Sequence, residues 1–235
     1  NMQWASTPKS LSVGGIVGSI DNPRISGCST GEGTRIYYYG TGYSTCTIKT
    51  GGIAGSVSST SDASYISDCV NFSDLEDEKE VGGIYAGGIA GYVSGTLTVE
   101  NCRNSCINIF FKTTNKSATN DRPCLGGIIG AGASGSTLNV SKCSNTAVIQ
   151  INDKFGGTNY KKMGLAAGIV GIMNGGTVSG CDNYGHVKDG TLGADKVKHA
   201  LGGIVALHSA GKVSDCTNNG IVSTYNSGAV DCAVA

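Results

Sequence analysis

The residues of this 235-residue chain that could do chemistry are its ten cysteines, three histidines, a run of acids and several clustered aromatic rings. Zinc would need close cysteine pairs such as C-x2-C, and the nearest pair here is Cys102 and Cys106. Only the first of these belongs to a regular series: Cys28, Cys69, Cys102, Cys143, Cys181 and Cys216 each follow an Ile or Val by three residues. A small apolar group recurring at one point of a repeat fits a buried ladder of free thiols, because cysteine buries readily. Cys46, Cys106, Cys124 and Cys232 stand outside the series and are where a disulfide would be sought. His186, His199 and His208 fall on different segments, with no i, i+4 pair and no carboxylate cluster nearby, and are expected at the surface. The acidic run DLEDEKE, Asp74 to Glu80, could hold calcium through clustered carboxylates. It lacks the alternating Asp-x-Asp-x-Asp-Gly order of a loop site and reads as a solvated charged turn. No metal and no other cofactor is expected.

Catalysis needs groups that meet. Asp68 and Asp215 share the position just before a series cysteine, but they lie four repeats apart, roughly 19 Å if repeats stack at ~4.8 Å. Carboxylates that act together on a glycosidic bond sit roughly 5 to 9.5 Å apart. Asp182 follows its cysteine instead, and no Ser-His-Asp order stands out. The chain is therefore expected not to be an enzyme. The aromatic residues suit recognition better: Tyr37, Tyr38, Tyr39, Tyr43, Phe110, Phe111 and Tyr160, the last beside Lys161, could stack on sugar rings or anchor a protein. The alternative is that they pack over the flank of the fold.

What positions these groups is a repeat. A glycine loop that cradles phosphate occurs once and carries a basic residue at fixed spacing, whereas here Gly14-Gly15-Ile16, Gly51-Gly52-Ile53, Gly87-Gly88-Ile89, Gly126-Gly127-Ile128, Ala167-Gly168-Ile169 and Gly202-Gly203-Ile204 begin 37, 36, 39, 41 and 35 residues apart. Each copy leads to its cysteine, and in five of six an asparagine follows two residues later, at Asn71, Asn104, Asn145, Asn183 and Asn218; Thr30 takes that place in the first. A third apolar run closes most units, as in Ala147-Val148-Ile149 and Gly220-Ile221-Val222. Units that cannot bury a core alone must stack.

With 38 glycines, 3 prolines and no long stretch of period 3.6, the composition favours short strands and tight turns. Seventeen basic and seventeen acidic residues balance, which argues against nucleic acid as a partner. No run of about 18 apolar residues exists, so no membrane span is expected. Asn1 to Leu11 lacks the basic start and apolar core of a signal peptide, as in a processed or trimmed chain.

The expected fold is all-β: one domain over residues 1–235, a right-handed parallel β-helix of about six three-stranded coils with units starting near 14, 51, 87, 126, 167 and 202. The six isoleucines should form an internal ladder, and the asparagines should stack amide on amide from left-handed turn positions. Loops should emerge along one edge, at Tyr37 to Thr50, Glu76 to Ala86, Phe110 to Leu125, Gln150 to Ala166 and Lys188 to Leu201, and carry any binding surface. Strict alternation sends the residue after each ladder isoleucine outward, as Val17, Ala54, Ala90, Ile129, Val170 and Val205. Two residues on, Ser19, Ser56, Tyr92, Ala131, Ile172 and Leu207 grow more apolar down the stack, so this face should be covered by connectors, a second subunit or a neighbouring domain.

The strand-turn-V-x-x-C-x-N pattern, clearest in GGIAG at Gly87 with VENCRN at Val99, resembles the GLUG-motif repeats of bacterial surface and secreted proteins from Val13 to about Val222. The resemblance implies an extracellular or cell-surface, adhesin-like β-helix and carries over no catalytic residue. The expected function is non-enzymatic presentation of loops to a glycan or protein on a host or neighbouring cell. A carbohydrate-active β-helix enzyme and a structural spacer are the alternatives.

Overall fold

The computed structural model describes residues 10–37, 46–81, 83–113, 123–153, 164–190, 199–224 and 233–234. They form a parallel β-solenoid, with no helix among the described residues. In a full coil the chain runs through an entry strand before Gly-Gly, an exit strand after it, a strand leading to the cysteine, a two-residue asparagine strand and a back strand; the first coil lacks the asparagine strand, and in the third the exit and cysteine strands are one, Ala90–Glu100. In the second coil these are Thr47–Gly51, Ala54–Ser59, Tyr65–Ser67, Val70–Asn71 and Asp74–Val81. Each pairs in parallel with its counterparts in the coils before and after, except that Val70–Asn71 meets the first coil only through a single bridge to Ser29. The back sheet stacks six strands, hence five steps, or about five turns of winding against the six coils expected.

Four or five strands per coil replace the three expected. The entry strands Thr47–Gly51, Gly83–Gly87, Cys124–Gly126, Gly164–Ala167 and His199–Gly202 lie largely inside the segments expected to be loops. The acidic run is not a turn but the back strand Asp74–Val81. A strand of three to five residues has too little length to show alternation, and pairing on both sides supplies the order that its own sequence does not. Leu75 shows how the acidic strand is anchored: it is buried, whereas Glu76 beside it is half-exposed.

The interior has two lobes. Ile53, Ile89, Ile128 and Ile169 are fully buried in one, with Val57, Val93, Ile66, Val99 and the thiols of Cys69, Cys102, Cys143 and Cys181. The ladder frays at its ends, where Ile16 is 44% exposed and Ile204 half-buried. The other lobe lies between entry and back sheets and holds Ile48, Leu75, Ile84, Cys106, Ile109, Phe111, Ile149 and Ile151.

An amide ladder divides the lobes. Asn71 Nδ2 donates to Asn104 Oδ1 at 2.9 Å, and Asn104, Asn145 and Asn183 each donate to the next asparagine's Oδ1 at 2.8 Å, ending on Asn218. Thr30 starts the chain, its hydroxyl donating to Asn71 Oδ1. The second glycine of each pair is what lets the waist close: a Cβ on Gly127 would sit 1.9 Å from Gly168 O and 2.5 Å from the Asn145 side chain. The asparagines occupy strands, which corrects the expected left-handed position. That conformation falls instead just before each series cysteine, at Gly27, Asp68, Asn101, Lys142, Gly180 and Asp215, with φ from 50° to 62°.

Candidate functional site

Gly-Gly turns the chain back so sharply that the outer faces of the entry and exit sheets meet. Near the turn they are in backbone contact: a Cβ on Gly91 would lie 2.4 Å from Thr50 O. Further out the strands diverge and leave a cleft along the solenoid. Its entry wall carries Lys49, Tyr85, Cys124, Leu165 and Ala200 in register, and its exit wall Ser56, Tyr92, Ala131, Ile172 and Leu207.

This geometry corrects the outer-face expectation. Ala54, Ala90, Ile129 and Val170 are not outside but fully buried with the ladder isoleucines, because alternation holds along a straight strand and fails where the chain reverses. The next row, from Ser56 to Leu207, does face outward, and what covers it is the chain's own entry strands. Cys124, Ala131, Leu165 and Ala200 are buried together there, with Tyr85, Tyr92, Ile172 and Leu207 packed around them.

A hollow of about 190 Å³ opens in the cleft, lined by Tyr85, Tyr92, Ala131, Gly132, Ala133, Ser134, Ile172 and Asn174. It arises from a size mismatch between rungs. The third coil supplies two tyrosines, the fifth Ile172 and Leu165, and the fourth, between them, only Ala131 and Cys124. The Tyr85 and Tyr92 ring centroids are 5.0 Å apart and their planes tilt by 45°, the offset arrangement aromatic quadrupoles favour. Lys49 Nζ lies 4.3 Å from the Tyr92 centroid, a cation–π contact. Asn174 at the rim donates to Gly132 O at 2.9 Å, and Ser134 beside it is exposed. Such a hollow offers a ring face, a small apolar floor and polar groups at its edge.

Tyr37 and Phe110, expected in ligand-binding loops, instead lie on strands of the back sheet. They occupy one outward row, both in register with Glu76, and Gln150 and Lys188 continue it. Phe111 points the other way and is fully buried, so it is a core residue. Tyr38, Tyr39, Tyr43, Tyr160 and Lys161 lie outside the described residues.

His186 and His208 are exposed as expected, but His199 is buried. Its Nδ1 lies 3.0 Å from Asp189 Oδ2, to which Thr224 Oγ1 donates at 3.4 Å. The carboxylate arrives from the preceding back strand, Val187–Asp189, a proximity made by coil closure rather than by helical spacing. Asp68 accepts from Asn101 Nδ2 at 2.6 Å, and Asp74 accepts from the backbone N–H groups of Ile107 and Asn108 at 2.7 and 3.0 Å. Both carboxylates thus tie one coil to the next. Cys46 and Cys106 are buried free thiols, Cys124 is buried, and Cys232 lies outside the described residues. Among the described residues no group of three or more His, Cys, Asp or Glu is placed to hold a metal, and no helix is long and apolar enough to cross a membrane.

Sequence reasoning noted Tyr92 only as one member of a row and missed Tyr85 and Lys49 as site residues. The signal that could have found them is register, since the residue two before the first position of each glycine pair, which Ala167 holds in the fifth unit, reads Lys49, Tyr85, Cys124, Leu165 and Ala200 from the second unit on. Comparison with protein-family models, with curated proteins and with solved structures finds no match to the chain.

Proposed function

We propose that this chain is a non-enzymatic, adhesin-like module of a cell-surface or secreted protein, and that it holds a glycan in the cleft between its entry and exit sheets. The observation that carries this reading is the hollow walled by Tyr85 and Tyr92. A pyranose ring has one face of C–H groups and a rim of hydroxyls, and the hollow pairs ring faces and a small apolar floor with the hydroxyl of Ser134 and the amide of Asn174. Binding sites of this kind are concave, mostly apolar and carry few polar groups. The GLUG-like motifs support the surface location, and the outward row of Tyr37, Glu76 and Phe110 adds a second aromatic strip on the opposite flank.

The test is a glycan and matrix-protein array probed with the purified chain, followed by titration of the best glycan against Tyr85→Ala and Tyr92→Ala. Each substitution is expected to weaken binding about tenfold, the equivalent of ~1.4 kcal/mol lost from ring stacking and buried area. Retained affinity in both variants would remove the cleft from the reading. New reducing ends or unsaturated products from a polysaccharide panel, lost on substitution of one carboxylate, would overturn its non-enzymatic part.

A further inference from the structure

The cleft carries a charge beside its tyrosines, and that charge narrows the ligand. Lys49 stands on the entry wall one rung before Tyr85, and its ammonium rests on the Tyr92 ring. The ion pairs among the described side chains are Lys142 with Glu100 and His199 with Asp189, so no described carboxylate lies within ion-pair distance of Lys49. The residues lining the hollow beyond the tyrosines carry no charge at all. A half-buried ammonium fixed against a ring, with no described counter-charge, beside an uncharged hollow, is complementary to a ligand that is negative at one end and ring-faced at the other.

Resting on the glycan-binding reading above, we propose that the cleft binds an acidic oligosaccharide, with one pyranose ring in the hollow against Tyr85 and Tyr92 and the carboxylate of a hexuronate at Lys49. The available length follows from the rungs. Lys49, Tyr92, Ala131 and Ile172 occupy four successive coils, and three steps at ~4.8 Å span roughly 14 Å. The Lys49 ammonium itself adjoins the hollow, 4.3 Å from the Tyr92 centroid, so the acid and the ring contacts can fall on neighbouring sugars, and the walls leave room for a second ring toward the fifth coil. The ligand's polarity is also fixed, with the acid toward the first coils and the ring seated in the hollow toward the fifth.

The experiment is calorimetric titration of the purified chain with trigalacturonate, with its methyl ester, which keeps the rings and removes the charge, and with a neutral trisaccharide. The free acid is expected to bind at least tenfold more tightly than the ester. Lys49→Met, which keeps the stem over Tyr92, should abolish that preference, bringing the acid's affinity down to the ester's in a variant whose circular dichroism shows the fold intact. Tyr92→Ala should weaken acid and ester alike. Raising salt should weaken only the acid. Equal binding of acid and ester, with no effect of Lys49→Met, would overturn the acidic ligand and leave glycan binding standing. Binding of none of the three, together with a blank glycan array, would overturn the glycan reading and this inference with it.

Discussion

Asn145 lies in the middle of the amide ladder, and replacing it by alanine tests whether the amides couple the two lobes or merely occupy the space between them. Its Oδ1 accepts from Asn104 Nδ2 at 2.8 Å and from Ala147 N at 3.2 Å; its Nδ2 donates to Asn183 Oδ1 at 2.8 Å and to Ala147 O at 3.1 Å. The side chain is fully buried. Asn145→Ala removes all four bonds. Asn183 Oδ1 keeps a donor in Gly185 N at 3.2 Å, whereas the Asn104 amide and the Ala147 N–H lose these acceptors where no solvent replaces them. Two orphaned buried groups at ~1–3 kcal/mol each amount to about 2–6 kcal/mol. For a chain of this length 1 kcal/mol moves Tm by roughly 2–4 °C, so a fall on the order of 10 °C is expected in a thermal melt followed by circular dichroism. Asn218 is the internal control, because it holds the same position in the last coil but is exposed. Asn218→Ala should cost about 1 kcal/mol or less, a few degrees. Equal shifts for the two variants would refute the idea that burial of the amides makes the ladder stabilising.

Three further outcomes follow from the core. Cys69, Cys102, Cys143 and Cys181 should resist a thiol reagent in the native state and react in denaturant, and rapid native labelling of Cys102, Cys143 or Cys181 would dismantle the buried thiol ladder. Burial pushes the Cys106 thiol up to about 12 and Cys69 up to about 11, while Cys143 is raised by its hydrogen bonds with Cys102 and Cys181 and then by burial. Since the native state holds these protons more tightly than the unfolded chain, their contribution is complete below the ordinary thiol value of ~8.5 and declines from there toward pH 11–12. Above about pH 8.5, urea midpoints measured from pH 7 to 10.5 should therefore fall less steeply in Cys106→Ala than in the unsubstituted chain; identical slopes in the two proteins would contradict the raised value. Ile128→Asp should unfold the solenoid in part or whole, since a carboxylate would stand between the buried Ile89 and Ile169, and an unchanged Tm would mean that Ile128 faces water.

The repeat, its parallel stacking and its isoleucine and thiol ladders were legible because each rests on one residue type recurring at one phase of the period. Asn71 through Asn218 were legible as a stack for the same reason, but their backbone conformation was not. The residue before the cysteine varies among Gly, Asp, Asn and Lys, and that variety hides a shared left-handed φ that only the turn geometry imposes. The entry strands escaped notice because TIKTG, CLG and GLAA share no pattern except position relative to the glycines. Tyr37 and Phe110 were found as aromatic residues worth attention, yet their juxtaposition across Glu76 depends on strand register through a segment whose length differs between units.

The cleft was illegible for a more general reason. A solenoid's core rows must be nearly constant, because each rung supports the next, so the period advertises scaffold and hides site. Recognition can vary only on rows that face outward, where neighbouring rungs need not match. At the cleft three consecutive rungs differ in the one property that makes a hollow: Tyr85 and Tyr92, then Cys124 and Ala131, then Leu165 and Ile172. Exchanging the sizes should therefore move the hollow without disturbing the fold. Ala131→Tyr would fill the floor between Tyr92 and Ile172 while leaving every ladder contact in place, because Ala131 belongs to the outer cluster and not to either core lobe. The melting temperature is expected to hold within a few degrees while glycan binding is lost. A drop of more than about 10 °C would show that the cleft floor is part of the core, and that outer rows of this solenoid are not free to vary.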